Sequence, residues 1–188
     1  DSRTVAAMLT STRVFFRHLY RTGLTEDDLS QKLPTVKPNR QFKLPRVWRQ
    51  EDVLAVLNSI DRGNPVGKRD YAILMLISRY GLRSADVKTL KLSELKWDER
   101  VIEIVQSKTG IALRLPMLRD VGWALIDYLR HGRPPSECAE VFLTSTVPIR
   151  PFGVHSCGLN AILAKRVREA RVRIPAELPK GMHSLRHT

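Results

Sequence analysis

The stretch Arg79-Tyr80-Gly81-Leu82-Arg83-Ser84-Ala85-Asp86-Val87 sets a helix stop, an arginine and a helix start in close succession, and the rest of the chain arranges itself around that joint. Gly81 tolerates the left-handed backbone conformation that ends a helix. Ser84 is suited to cap the next helix, with Asp86 and Val87 in its first turn. Arg83 therefore lies in a tight joint held from both sides. Before the joint, residues 68–80 are apolar through their middle and predict a central buried helix. Further back, residues 50–60 read as an amphipathic helix with Val53, Leu54, Val56, Leu57 and Ile60 inward. After the joint, a short helix carries Val87 and Leu90.

Beyond this helix the hydrophobic period changes. Residues 101–106 and 111–116 read as strands joined by Ser107-Lys108-Thr109-Gly110, and residues 94–97 as a third strand. Lys108 lies at the turn tip, within reach of a groove; taken alone it reads as an exposed turn lysine. Arg114, on the following strand, is a phosphate-contact or surface residue. Residues 119–131 predict a helix with Val121, Leu125, Ile126 and Leu129 inward. Loops at 132–137 and 145–153 flank the short apolar run 141–144. Residues 155–172 predict a further helix, with Leu159, Ile162, Leu163 and Val167 on its apolar side. Lys165, Arg166, Arg168, Arg171 and Arg173 crowd elsewhere, as a backbone- or groove-binding surface or as solvated charge. The fold class is mainly α with a small antiparallel β-sheet (α+β).

The chain closes on His183-Ser184-Leu185-Arg186-His187-Thr188, with a helix starting near Met182. His183 and Arg186, three apart, share one helical face. Two fixed guanidiniums and an imidazole suit a phosphate that carries developing negative charge. His183 and His187 are also spaced as a zinc pair. The glutamate of H-E-x-x-H is absent, no third ligand is apparent and Arg186 would repel a cation, so no metal is expected.

At the start, Val5, Met8, Leu9, Thr12, Phe15, Phe16 and Leu19 recur at helical spacing up to Gly23 and predict a packed face. Arg13, Arg17 and Arg21 fall on a separate face, open to solvation or to phosphate contact. Residues 34–46 contain Pro34, Pro38 and Pro45 and read as an extended linker; its four cations, Lys43 among them, suit a strap along a polyanion or a merely soluble tether. The formal charge of the 188 residues is +13. Residues 1–46 carry nine Lys/Arg against four Asp/Glu, and residues 160–188 seven against two. Positive charge gathered at both ends favours a polyanionic partner over a uniformly charged shell. A hydrophobic content of 43% excludes a disordered chain. Cys138 and Cys157 are the only cysteines, which points to a reducing cytoplasm rather than a disulfide framework. The longest apolar run, 71–78, is too short to span a membrane, and no membrane partner is expected. The chain opens without Met inside helical sequence and reads as a piece of a longer protein.

The two boxes, read together, resemble those of the tyrosine recombinase (phage integrase) family, G-L-R-x-x-E-L and H-x-L-R-H-T. The second is matched throughout; in the first, Asp86 stands for Glu and Val87 for Leu. The resemblance implies three segments: residues 1–33 as the last helices of a helical core-binding domain, 34–46 as linker, and 47–188 as an integrase-like catalytic domain incomplete at its C-terminus. It implies Arg83 and Arg186 as stabilisers of a pentacovalent phosphate, and His183 and Lys108 as proton carriers, with Lys108 the acid on the leaving 5′-oxygen and no cofactor. The nucleophilic tyrosine of the family lies downstream of the second box, so none of Tyr20, Tyr71, Tyr80 and Tyr128 is expected to serve, and all four are read as packing residues. The implied partners are double-stranded DNA, contacted by Arg13, Arg17, Lys43, Arg114, Lys165 and Arg166, and further copies of the chain in a synaptic tetramer. The implied function is site-specific DNA breakage and rejoining through a 3′-phosphotyrosine, in a nucleoid-associated cytoplasmic setting of bacterial or phage type. A non-catalytic DNA-binding remnant and a type IB topoisomerase-like enzyme are the alternatives.

Overall fold

A helix flanked by its own punctuation forms the spine of the fold. In the computed structural model, which describes residues 2–36, 47–153, 158–175 and 178–186, α3 spans Pro65–Tyr80. The Asn64 side chain caps its start by accepting from the Gly67 amide at 2.8 Å, and Pro65 occupies the first turn, where a missing N–H costs nothing. Gly81 ends it in the left-handed conformation, φ 61°. Residues 72–77 are buried without interruption, so this helix is enclosed on all sides rather than amphipathic.

Around α3 lie α2 (Gln50–Asn58), α4 (Ser84–Thr89), α5 (Arg119–His131), α6 (Gly158–Glu169) and the short α7 (Met182–Leu185). Helix α5 presents Val121, Ala124, Leu125 and Tyr128 to the core at helical spacing. It runs antiparallel to α3, because Lys68 pairs with Asp127 at 2.7 Å near one end and Arg79 with Asp120 at 2.6 Å near the other. The strands β1 (Leu95–Lys96), β2 (Val101–Val105) and β3 (Ala112–Pro116) form an antiparallel sheet in that order. Ile102 pairs with Leu115 and Ile104 with Leu113; Ile102 and Ile104 face the core while Val105 faces solvent, the alternation expected of a one-sided sheet.

These elements lie in the compact unit Pro45–Thr188; the other compact unit is Asp1–Leu44. Within the latter, α1 (Ser2–Arg21) packs with a 3-10 turn at Leu29–Lys32. The expected packed face of α1 is only partly covered. Leu9, Thr12, Phe16 and Leu19 are half-buried, while Val5, Met8 and Phe15 are exposed. A four-residue turn cannot cover the face of a twenty-residue helix. Tyr20, expected to pack, is 48% exposed for the same reason. Leu54 of α2 also faces outward. Of the expected helix 155–172, residues 155–157 lie outside the described residues, and regular structure ends at Glu169, before the left-handed Arg171 at φ 54°. Among the described residues no helix is long and apolar enough to cross a membrane.

Candidate active site

The joint after α3 positions the first candidate residue. Arg83, in extended conformation, is itself the N-cap of α4: the Val87 amide donates to its carbonyl at 3.1 Å. Ser84 is the first helical residue rather than the cap, because Arg83, not Ser84, keeps the non-helical backbone angles that a cap requires. Arg83 Nη1 is buried and has no hydrogen-bond acceptor among the described residues. Such a donor is costly to leave unmatched and suits an incoming anion.

The second box is held by residues from elsewhere in the same unit. Asn160 of α6 accepts from the Met182 amide at 3.0 Å, supplying the cap that Gly181 lacks. Ser184 and Trp48 both donate to the carbonyl of Pro179, Trp48 at 2.9 Å. Met182 and Leu185 are buried, which turns His183 and Arg186 to the opposite face. Gly81 lets the two boxes meet: a Cβ built there would stand 3.2 Å from the Arg186 carbonyl oxygen.

Lys108 belongs to the β2–β3 turn, which is closed by Gln106 and Ile111 with Gly110 at φ 67°. The turn is tied to α4 by Asp86. Its Oδ1 accepts from the Ser107 amide at 2.9 Å and from the Ser107 hydroxyl at 2.7 Å. Arg83, Lys108, His183 and Arg186 thus line one cavity of about 480 Å³, together with Leu82, Ser84 and Met182. The structure brings together all four residues singled out for catalysis. Three carry cationic groups and the fourth is an imidazole, so the cavity suits a phosphate diester and offers it both charge and proton donors.

The residues expected at DNA fare differently. Arg166 is a correction. It is 6% exposed and points inward, donating to Asp70 Oδ2 through Nε at 3.0 Å and Nη2 at 2.6 Å, and to Glu169 at 2.7 Å. Asp70, a lone acid on a buried helix, accepts Arg69 on its other oxygen at 3.0 and 2.8 Å. An unmatched carboxylate in the core draws both arginines in, because neither charge is tolerable there alone. Arg13 is half-buried and donates to the carbonyls of Leu33 and Pro34, so it braces its own unit. Arg17 is exposed. Arg114 is exposed and pairs with Glu99 and, at 3.5 Å, Glu103. Lys165 stands half-exposed, 3.9 Å from Glu169. Lys43 lies outside the described residues.

Two tyrosines are fully engaged. The Tyr80 hydroxyl donates to the Pro116 carbonyl at 2.7 Å and accepts from the Leu118 amide at 2.9 Å, bridging β3 to α5. Tyr128 is buried, stacks on Phe142 at 5.4 Å and accepts from the Leu143 amide. Burial raises the pKa of both phenols. The Asp86–Ser107 tie and the Asp70 cluster are not apparent from sequence. An acid between Arg69 and the apolar run that starts at Tyr71 is the available signal for the second; the first has none.

An α-helical unit with a three-stranded sheet and this cavity defines the class, and the comparisons agree. Residues 46–188 match the sequence profile of the phage integrase family, and the chain belongs to that family. It is 36% identical over 187 residues to y4rA of Sinorhizobium fredii, a protein with an integrase/recombinase name, covering all of this chain and 44% of that one. It is 30% identical over 191 residues to the tyrosine recombinase XerD of Listeria innocua, covering 99% of this chain and 61% of that one. The chain thus spans about half the length of these curated relatives. Among solved structures, a lambda integrase tetramer bound to a Holliday junction superposes with a TM-score of 0.71 at 12% identity, over 99% of this chain and 52% of that one. That likeness shows a shared fold.

Proposed function

We propose that this chain supplies the phosphate-activating part of a tyrosine recombinase that breaks and rejoins double-stranded DNA. The observation that carries the reading is the convergence of Arg83, Lys108, His183 and Arg186 on one cavity, with a buried Arg83 nitrogen awaiting an acceptor. In the proposed step a tyrosine phenolate attacks the scissile phosphorus. The P–O bond to the tyrosine forms as the P–O5′ bond breaks, and Lys108 delivers a proton to the departing 5′-oxygen. Arg83 and Arg186 neutralise charge on the pentacovalent phosphorus, which is worth more in the transition state than in the diester. His183 relays protons beside them. In this reading the tyrosine comes from outside these 188 residues, because the nucleophile of the family follows the second box, and Tyr80 and Tyr128 are engaged in packing. Arg17, Arg114 and Lys165 are the exposed cations proposed to meet the duplex, and further copies of the chain complete a synaptic assembly on DNA.

A nicked suicide substrate, from which the cleaved strand drifts away, tests the reading by trapping any 3′-phosphotyrosine as a covalent band. The expected result is no band from residues 1–188 and a band from a longer parent chain that supplies the tyrosine. Arg83→Ala or Arg186→Ala in that parent should lower the band's rate of formation by about a hundredfold or more. Duplex binding by the 188 residues should fall steeply with salt as counterions are released. A parent chain that binds DNA with this salt dependence but forms no band would favour the non-catalytic alternative.

A further inference from the structure

On a surface distinct from the four-residue cavity, the β1–β2 turn and the outer face of α5 enclose a groove of about 390 Å³. Its lining includes Trp97, Arg100, Met117, Arg119, Trp123 and Ile126. An adjoining hollow shares Trp97 and Ile126 and continues to Arg130. Trp123 is 61% exposed and Trp97 38%, whereas Trp48 is 1% exposed. Indoles are highly buried on average, so two of them exposed along one groove make an apolar surface that water covers poorly. Ile126, expected in the core, is drawn to this groove instead.

The charges around the groove are one-sided. Arg100, Arg119 and Arg130 are exposed and form no ion pair among the described residues. The neighbouring acids are committed elsewhere: Glu99 to Arg114, Asp120 to Arg79 and Asp127 to Lys68. Asp98, in the same turn, is the remaining carboxylate. Arg100 also adopts the left-handed conformation at φ 54°, which is disfavoured for a residue bearing a Cβ. Arg100 thus puts a cation on the groove at a backbone angle that glycine adopts without cost, and strain of this kind gathers at functional surfaces.

We propose that this groove docks a short peptide segment of a partner protein, one that presents an aromatic or aliphatic side chain flanked by carboxylates. The apolar side chain enters between the indoles, and the carboxylates pair with the guanidiniums in the planar, two-pronged geometry arginine favours. Tryptophan and arginine are the residue types that dominate binding energy at protein interfaces. Duplex DNA matches the groove less well. It offers phosphates on a broad surface and keeps its base faces stacked, so the apolar hollow would stay unfilled.

The test is to pan a random displayed-peptide library against the 188-residue chain, synthesise the enriched peptides and measure their binding by calorimetry. Enriched sequences should be acidic with an apolar anchor. Trp123→Ala and Arg119→Glu should each weaken them by about tenfold or more. Both side chains are exposed, and a glutamate in the first turn of α5 complements the helix dipole, so melting temperatures should hold. Arg100→Gly should raise the melting temperature while weakening the peptide, a pairing of effects that a purely structural arginine would not produce. Arg83→Ala should leave peptide affinity unchanged. The proposal is overturned by a library that yields no acidic peptide, or by peptides indifferent to these substitutions. It is equally overturned if Trp123→Ala and Arg119→Glu instead weaken duplex binding tenfold, or if Trp123→Ala abolishes self-association seen without DNA.

Discussion

Asp86 links two parts of the candidate site that are separate in sequence. It is 1% exposed, sits in the first turn of α4 next to the Arg83 joint, and holds the amide and hydroxyl of Ser107, the residue before Lys108. Both bonds fall on Oδ1, while Oδ2 is buried with no partner among the described residues, so the carboxylate holds the turn through charge-assisted bonds to Ser107. Asp86→Ala should therefore loosen the β2–β3 turn without unfolding the unit. A hydrogen bond to a charged group contributes about 1.5–3 kcal/mol, so the Ser107 amide should exchange with deuterium roughly ten- to a hundredfold faster. Unchanged protection at Ser107 would mean that the turn's own bonds from Gln106 suffice to hold Lys108. Gly81 acts over a shorter range: its left-handed angle ends α3, and its missing side chain admits the Arg186 backbone.

Between elements, α3 and α6 are joined by a buried set of charges. Asp70 is gripped on both oxygens, by Arg69 of its own helix and by Arg166 of α6, and Arg69 reaches on to the carbonyl of Leu143 at 3.2 Å and to the Phe152 ring. Removing one arginine from such a buried set leaves half of the carboxylate unmatched. Arg166→Ala should cost up to about 3–5 kcal/mol of unfolding free energy, read from urea melts, because Asp70 Oδ2 loses both of its donors while Arg69 still holds Oδ1. Lys165→Ala, one position earlier but half-exposed, should change stability by no more than about 0.5 kcal/mol. Equal effects from the two would show that the buried set contributes no more than a surface pair.

Across the whole molecule, burial is unevenly shared between the two compact units. The unit from Pro45 onward holds nearly every fully buried side chain, whereas α1 leaves Val5, Met8, Val14 and Phe15 in solvent. Leu76→Ala, at a position with no exposed surface, should lower stability by about 2–5 kcal/mol through lost burial and a residual cavity. Phe15→Ala, 55% exposed, should shift it by about 0.5 kcal/mol or less. Chemical denaturation of the two variants beside the parent chain checks both.

Features confined to one turn or strand are legible in the amino-acid order alone. A glycine stop, an alternation of apolar residues and a three-residue spacing are each complete within a few positions, so the end of α3, the hairpin around Lys108 and the pairing of His183 with Arg186 follow from the residues themselves. The family boxes add the order of the four site residues. Which charges face water is a matter of packing. Helical period says that Lys165 and Arg166 lie on different faces, but not which face meets a carboxylate 96 positions away, and Asp70 settles that for Arg166. The same holds for Asp86, whose partner lies 21 residues on, and for Trp97 and Trp123, which share a groove only because the β1–β2 turn lies against α5. Interactions across such separations depend on how elements pack, which no single stretch of the chain encodes.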